Sequence, residues 1–282
     1  MPALITAFDS NENIDADAHG HNVSVAVAAG ADGVLLAGST GEGPYLESGE
    51  RKLLSSITRD AFPDLTILCG IFAETDRSTE SQIAEAADGC ANAVLIVTPG
   101  TLVRNRHHII TAFYRRIADS SPLPMFLYTV PRVTGYEFPV ESVAELASHS
   151  NIVGIKDSGG DVSRLTALAE TLNAGFTAYT GNSKALADSG GRGAFGAITA
   201  SANYAFTLVE SAASGDEGAQ AILVEITNIV EQFGVSGTKF AASLAGLRPG
   251  VSRLPLQPLD SEAEQSITNA YEHMLSRVSR DT

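Results

Sequence analysis

A chain of 282 residues, of which 44% are apolar, can bury a sizeable hydrophobic core. Its 33 acidic residues outnumber 18 basic ones, and the formal net charge of −15 argues against binding to nucleic acids or anionic membrane surfaces. The two cysteines, Cys69 and Cys90, show no CxxC spacing, and no run of about 18 apolar residues occurs. The N-terminal stretch lacks the charged and apolar regions of a signal peptide, so we expect a cytoplasmic protein.

Eight short apolar runs alternate with amphipathic stretches along the chain. The predicted strands are ALITAF (3–8), GVLLAG (33–38), LTILCGI (65–71), NAVLIVT (92–98), PMFLYTV (124–130), IVGIKD (152–157), FTAYTG (176–181) and GAFGAITA (193–200). The predicted helices include residues 15–29, 47–61, 77–89, 105–119, 139–148 and 161–172. Near-continuous apolar strands that alternate with helices indicate a parallel sheet covered on its faces. Eight such units close naturally into a (β/α)8 TIM barrel, whereas the alternative, a doubly wound sheet, seldom needs eight.

The last part of the chain lacks the strand pattern and is predicted to be helical. DEGAQAILVEITNIVEQF and SEAEQSITNAYEHMLSRV both show helical apolar spacing, and RPGVSRLPLQPLD separates them as an extended linker with three prolines. We therefore expect a (β/α)8 barrel with the active site at residues 1–215 and a C-terminal helical extension at residues 216–282.

Lys156 ends the sixth predicted strand, in the stretch NIVGIKDSGGD (151–161). Lysine is seldom fully buried unless it is paired, so its place at the end of a core strand requires an explanation. In a barrel the active site lies at the C-terminal ends of the strands. There a lysine amine can condense with a ketone to form a Schiff base, which serves as an electron sink. The simpler alternative is a surface lysine whose ammonium group reaches water.

Two further strand ends carry groups suited to the same carbonyl chemistry. GSTGE (38–42) ends the second strand and offers hydroxyls and backbone N–H groups to a carboxylate, although Ser39 or Thr40 could instead cap a helix. Tyr128 begins YTVPRVTG (128–135) and can transfer protons, although a lone tyrosine is more often a core residue. These motifs support a lysine mechanism only if the fold brings them together.

The remaining strand ends favour neither a phosphate loop nor a metal site. TGNS (180–183) ends the seventh strand, and the eighth runs through Ile198. GGRGAFG (190–196) lacks the GK[ST] ending of a phosphate-binding loop. The six histidines avoid the strand ends and show no HExxH spacing, so we expect no metal.

Taken in order, GSTGE, YTVPRVTG, GIKDSGGD and GAFGAITASAN resemble the four main motifs of the dihydrodipicolinate synthase and N-acetylneuraminate lyase superfamily, the pyruvate-handling class I aldolases. The resemblance covers nearly the whole chain, and KDSGGDVSR with RLPLQPL is most similar to the 4-hydroxy-2-oxoglutarate aldolase branch. It implies a (β/α)8 barrel that uses no cofactor beyond a covalent lysine Schiff base with the substrate. It also implies a small-molecule 2-oxo acid and an aldehyde as partners, and a homodimer or homotetramer.

The resemblance assigns three catalytic residues. Lys156 would form the Schiff base with the keto carbon of pyruvate or another 2-oxo acid. Tyr128 would be the general acid/base near the bond that is made or broken, and Ser39 would relay protons to it.

Four further residues would bind the substrate. Thr40, with the backbone N–H groups of its turn, would hold the carboxylate, and Ile198 would line the pocket near the Schiff base. Gly181 and Arg132 are the other two candidates for substrate binding.

The chain departs from the family pattern at two positions. Leu102 stands where the family has a tyrosine that reaches the neighbouring subunit's site, so the proton relay would be shortened or rerouted through His107 or water. Val133 stands where the synthases place an arginine that holds aspartate semialdehyde. The nearby Arg132 is one residue earlier, and successive side chains of an extended segment point in opposite directions. Both departures lower the expectation of dihydrodipicolinate synthase activity.

The favoured hypothesis is cleavage of a 4-hydroxy-2-oxo acid, such as 4-hydroxy-2-oxoglutarate or a 2-keto-3-deoxy sugar acid, to pyruvate and an aldehyde. The enzymatic alternatives are condensation of pyruvate with aspartate semialdehyde and cleavage of N-acetylneuraminate. A further alternative is a 2-oxo-acid-binding barrel without turnover, which Leu102 favours and the intact Lys156, Tyr128 and Ser39 oppose.

Overall fold

The computed structural model describes residues 1–171 and 175–278. Within these residues, seven parallel strands form one sheet in which each strand pairs with the next along the chain. The strands are β1 Gly33–Leu36, β2 Thr66–Ile71, β3 Ala93–Val97, β4 Met125–Thr129, β5 Ile152–Asp157, β6 Thr177–Thr180 and β7 Gly196–Ala197. The helices are α1 Ala16–Ala28, α2 Glu50–Ala61, α3 Asp76–Asp88, α4 His107–Ser120, α5 Pro131–Thr134, α6 Val140–Leu146, α7 Val162–Thr171, α8 Leu186–Gly191, α9 Phe206–Ala213, α10 Glu217–Val230, α11 Gly234–Leu244 and α12 Ser261–Val278. The prediction of an α/β fold with a parallel sheet is therefore confirmed.

Several helices begin at side-chain caps that the sequence supplies. Asp15 before α1, Thr75 before α3 and Asp216 before α10 each accept a hydrogen bond from the backbone N–H three residues later. Such bonds satisfy N–H groups that have no partner within the helix. All six helices proposed from the pattern between the strands occur, although residue 172, the predicted end of one, lies outside the described residues.

The strands are buried on both faces, because alternate side chains pack against different partners. One face contacts the surrounding helices, as Ile67 and Ile96 do. The other face forms a separate cluster that includes Leu35, Leu95 and Tyr128. This inner cluster ends at the carboxyl ends of the strands, where the predicted site residues lie.

The first predicted strand, ALITAF, is wrong as a continuous strand. Pro2 forms a parallel bridge with Thr199, and Ala3 forms one with Leu35 of β1, so the same segment touches both edges of the sheet. The ladder stops there because the backbone N–H of Ile5 donates to the side chain of Asn203 instead of to a strand. The eighth predicted strand is likewise short, since only Gly196–Ala197 pair regularly.

The helices after residue 216 pack on the preceding helices through one apolar cluster. It contains Leu208 of α9, Leu223 of α10, Ala241 of α11 and Ile267 of α12. The division of the chain at residue 215 stays a prediction. Among the helices of the described part of the chain, none combines the length and the apolar character that a membrane crossing requires.

Candidate active site

Lys156 lies near the end of β5, between two tyrosines on the neighbouring strands. It is in register with Tyr128 of β4 on one side and with Tyr179 of β6 on the other. Its side chain therefore points to the same inner face as theirs. Lys156 is only 5% exposed, and its Nζ atom lies 4.7 Å from the centre of the Tyr128 ring. Among the described residues, no carboxylate forms an ion pair with Lys156, which leaves its amine available for chemistry.

Tyr128 is close to the turn that follows β1. Its hydroxyl oxygen lies 3.5 Å from Oγ of Ser39, so a proton could pass between them with little movement. The turn is tightly packed, because a side chain at Gly41 would bring a Cβ atom to 2.8 Å from the carbonyl oxygen of Leu4. The backbone N–H of Gly43 closes the turn on Gly38 at 2.9 Å.

One cavity of about 320 Å³ collects every predicted site residue. Its lining includes Ser39, Thr40, Tyr128, Arg132, Lys156, Gly181 and Ile198. The structure thus brings together residues from five different strand ends, as the barrel hypothesis requires. Their individual roles stay predictions.

Two cations line this cavity besides Lys156, and they differ in their pairing. Lys184 forms an ion pair with Glu231 at 2.9 Å, so its charge is compensated within the protein. Arg132 is exposed and forms no ion pair with any described residue. Of these two cations, Arg132 is therefore the one whose charge no described carboxylate compensates. Val133, at the position where the synthases have an arginine, is 63% exposed and offers no charge.

Gly181 is required beside the lysine for steric reasons. A Cβ atom at this position would lie 2.9 Å from Cε of Lys156 and would overlap with Oγ of Ser158. The backbone N–H of Gly181 donates to the carbonyl oxygen of Asp157 at 2.6 Å, which holds the two strand ends together. The glycine leaves the space that the lysine side chain occupies.

Asp157, the residue after Lys156, forms a buried ion pair with Arg164, and the sequence analysis missed both residues. Nε of Arg164 donates to Oδ2 of Asp157 at 2.5 Å, and both side chains are buried. The other carboxylate oxygen, Oδ1, accepts the backbone N–H of Gly159 at 2.7 Å. The guanidinium group also donates to the carbonyl oxygen of Phe138. Both partners lie in the stretch KDSGGDVSR. An acidic residue directly after Lys156, followed seven residues later by an arginine, is the sequence signal that could have predicted this ion pair.

The structure does not bring Leu102 or His107 to this cavity. Leu102 is 85% exposed, and Nδ1 of His107 lies 2.7 Å from the hydroxyl oxygen of Tyr136. Tyr136 is buried, and burial raises its pKa to about 12. A proton relay through His107 gains no support from this geometry.

A second cavity of about 430 Å³ adjoins the first and shares Ser39 and Val133 with it. Residues after position 216 contribute Val235 and Leu256 to its wall. Among the described residues, no group of three or more His, Cys, Asp or Glu side chains is arranged to hold a metal ion.

Comparison with known proteins places the chain in a family. Residues 1–274 match the model of the dihydrodipicolinate synthetase family. A 4-hydroxy-tetrahydrodipicolinate synthase from Methanosarcina barkeri is 29% identical over 279 residues, which cover 95% of each protein. An uncharacterized DapA-like lyase from Halobacterium salinarum is 30% identical over 272 residues, 93% of this chain and 89% of that protein.

A solved structure extends the likeness to the fold. YagE, a prophage protein of the dihydrodipicolinic acid synthase family from E. coli K12 crystallised in complex with pyruvate, superposes with a TM-score of 0.90. The two proteins are 25% identical, and the alignment covers 97% of each chain. The chain therefore belongs to the dihydrodipicolinate synthetase family and shares its TIM-barrel-like α/β fold and its lyase class.

Proposed function

We propose that the protein is a class I aldolase that forms a Schiff base between Lys156 and a 2-oxo acid. The observation that carries this proposal is the buried amine of Lys156, which faces a cavity beside Tyr128 and has no ion-pair partner among the described residues. Such an amine can condense with a ketone carbon, and the resulting imine withdraws electrons from the adjacent bonds. The pyruvate bound to the related YagE supports a 2-oxo acid as the substrate class.

Catalysis begins when Nζ of Lys156 adds to C2 of a 4-hydroxy-2-oxo acid and water leaves, which gives a protonated imine. Tyr128 then takes the proton of the 4-hydroxyl group while it passes its own proton through Ser39 to solvent. The C3–C4 bond breaks, its electron pair enters the enamine, and the aldehyde departs. Protonation at C3 and hydrolysis of the imine by water release pyruvate and free Lys156.

Thr40 and Arg132 would hold the two ends of such a substrate. Thr40 and the N–H groups of its turn suit the carboxylate next to the keto carbon, because hydroxyl and N–H donors satisfy an anion. Besides Lys156, Arg132 is the cation of the cavity that forms no ion pair with a described residue, and it would hold a second carboxylate, as in 4-hydroxy-2-oxoglutarate. Gly181 and Ile198 would shape the wall around the Schiff base.

Condensation of pyruvate with aspartate semialdehyde is the second candidate, because several curated relatives are named 4-hydroxy-tetrahydrodipicolinate synthase. Val133 opposes it, since valine cannot hold the carboxylate of the aldehyde. A hydrogen bond to a charged group is worth about 1.5–3 kcal/mol, so the loss of one lowers kcat/KM by about ten- to a hundredfold. Cleavage of N-acetylneuraminate is the third candidate.

The deciding experiment measures kcat/KM for both reactions on one preparation. We expect pyruvate release from a 4-hydroxy-2-oxo acid to be faster than condensation of pyruvate with aspartate semialdehyde. Condensation faster by about tenfold or more would reverse this ranking. Loss of that activity in Arg132→Ala would then identify Arg132 as the residue that replaces the missing arginine. A protein that binds pyruvate and turns over neither substrate would instead be a binding barrel.

The first residues of the chain would complete a closed (β/α)8 barrel. This proposal is supported by the bridges of Pro2 to Thr199 and of Ala3 to Leu35, which join the two edges of the seven-stranded sheet. The backbone N–H of Ala3 donates to Thr199 and that of Leu4 to Leu35, both at 2.9 Å. Slow amide exchange at Ala3 and Leu4, comparable with β1, would support closure, and fast exchange would oppose it.

The homodimer or homotetramer and the absence of a cofactor, which the resemblance implies, stay proposals. The resemblance implies a subunit boundary at TPGTLVRNRHHII, and the exposure of Leu102 in this segment is compatible with it. Sedimentation of a fully active monomer would contradict that expectation.

A further inference from the structure

The turn that carries Ser39 and Thr40 ends at Glu42, whose φ of 56° lies in the left-handed region. A residue other than glycine adopts this conformation only at a cost, so neighbouring contacts must hold it there. One such contact is the hydroxyl of Thr6, which donates to the carbonyl oxygen of Gly41 at 2.6 Å. The remaining contacts converge on the side chain of Glu42.

The carboxylate of Glu42 is completely buried beneath the turn. Its Oε1 atom lies 2.5 Å from Nζ of Lys239 in α11, whose side chain is 4% exposed. Its Oε2 atom accepts the backbone N–H of Arg253 at 2.9 Å. Within the described part of the chain, Lys239 is the only residue whose side chain forms an ion pair with Glu42.

The second cation near Glu42 is Arg253, which forms its ion pair with a different carboxylate. The guanidinium of Arg253 forms its ion pair with Glu50 at 2.6 Å, and Arg253 meets Glu42 through its backbone N–H rather than through an ion pair. Lys239 itself donates to the carbonyl oxygen of Val251 at 2.5 Å and lies 4.9 Å from the centre of the Phe8 ring. Burial lowers the pKa of Lys239, and the attraction of Glu42 opposes that effect.

We propose that Lys239 is a positioning residue, which holds the Ser39 and Thr40 turn at the active site by neutralising Glu42. Lys239 does not line the cavity that contains Lys156, so it acts through the turn. A buried carboxylate without its cation either takes up a proton or moves to solvent. Either change removes a support of the turn, and Ser39 and Thr40 shift. The catalytic consequence rests on the proposed function of these two residues.

The experiment compares Lys239→Met with the double variant Lys239→Met/Glu42→Gln. Methionine keeps the hydrocarbon stem, and glutamine keeps the size of Glu42 and an acceptor for the Arg253 N–H. The matched control is Lys52→Met, which removes a lysine from an exposed pair with Asp88. Each variant is assayed for kcat and KM of the 2-oxo acid at a temperature where circular dichroism shows it folded. Hydrogen exchange of the peptide carrying residues 38–43 is measured in parallel.

We expect Lys239→Met to raise KM and lower kcat, with kcat/KM down by at least about tenfold, because a misplacement of 1 Å can cost about 10²-fold. The kcat/KM of the double variant should be within about threefold of wild type, since it contains no buried charge without a partner at this site. Lys52→Met should match wild type.

Unchanged kinetics in folded Lys239→Met, or a double variant as impaired as the single, would overturn the proposal. Should Lys239→Met fail to fold, a double variant with wild-type kinetics supports the proposal, and one impaired by about tenfold overturns it.

The hydrogen-exchange measurement separates this inference from the proposed function. If pyruvate and borohydride fail to label Lys156 in the wild type, the proposed mechanism fails. The positioning role is then decided by exchange alone. Faster exchange of residues 38–43 in Lys239→Met than in Lys52→Met supports it, and equal exchange overturns it.

Discussion

Lys156 and Tyr128 are register partners on neighbouring parallel strands, and Nζ of Lys156 lies 4.7 Å from the centre of the Tyr128 ring. Register fixes this pairing, because side chains of paired residues on adjacent strands point to the same face. The hydroxyl of Tyr128 in turn lies 3.5 Å from Ser39. The amine and the phenol are thus held side by side by neighbouring strands, and the hydroxyl of Ser39 approaches the phenol from the turn after β1.

Tyr128→Phe tests the acid/base role of the phenol. The substitution removes one hydroxyl and leaves the ring beside Lys156. We expect turnover of the 2-oxo acid to fall by about 10² to 10⁴. Steady-state assays of pyruvate release measure the effect, and turnover equal to wild type would exclude Tyr128 from proton transfer.

Gly181→Ala tests whether the lysine needs the space beside it. The added Cβ atom would lie 2.9 Å from Cε of Lys156, so the lysine side chain has to move. We expect imine formation to slow by about 10²-fold, as for a misplacement of 1 Å. The control is Gly20→Ala, since a Cβ atom at Gly20 would meet no atom of the described residues within 4 Å. A Gly181→Ala variant that forms the imine as fast as Gly20→Ala would show that Lys156 does not need this space.

Arg164→Met tests the buried pair behind the lysine. The substitution leaves the carboxylate of Asp157 buried without its cation. We expect the free energy of unfolding, measured by chemical denaturation, to fall by about 3–5 kcal/mol. The double variant Asp157→Asn/Arg164→Met should recover part of this loss. Lys52→Met, at an exposed pair, should cost less than about 1 kcal/mol. Equal losses in Arg164→Met and Lys52→Met would show that the buried pair does not stabilise the fold.

His19 makes the stability of the fold depend on pH. Burial lowers its pKa from 6.5 to about 4, and its Nδ1 atom has no hydrogen-bond partner in the described part of the chain. The unfolded chain therefore binds a proton at a higher pH than the folded chain does. Stability from the neutral imidazole is complete above pH 6.5 and is lost as the pH falls to about 4. The loss is on the order of 3 kcal/mol.

His19→Gln isolates this contribution, because an amide can still donate to Thr58, whose Oγ1 lies 2.9 Å from Nε2 of His19. Denaturation of both proteins between pH 7 and pH 4 gives the difference in their free energies of unfolding. We expect the advantage of wild type over His19→Gln to shrink as the pH falls. A constant difference would show that His19 does not titrate with unfolding.

Local pattern was enough to predict most of the fold. Apolar runs and helical spacing located seven strands and the helices between them, because burial on both faces and side-chain caps leave clear signals. ALITAF has the same apolar character, but its ladder ends where Ile5 bonds to the side chain of Asn203. Nothing near Ile5 in the sequence indicates that long-range bond.

At the site, too, contacts between residues far apart in the chain could not be predicted from the sequence. Motifs at strand ends predicted that Lys156, Tyr128 and Ser39 lie together, and they line one cavity because a parallel sheet gathers its strand ends at one edge. The pair of Glu42 with Lys239 could not be predicted, since its partners lie on a turn and a helix far apart in the chain. Their contact depends on how the last helices pack, which short motifs do not encode.

Trapping of pyruvate on Lys156 tests the Schiff-base mechanism itself. The protein is incubated with pyruvate and sodium borohydride, and its peptides are analysed by mass spectrometry. We expect one reduced pyruvate per chain, on the peptide that carries Lys156, and no label in Lys156→Ala. A label on another residue, or undiminished labelling of Lys156→Ala, would contradict this mechanism.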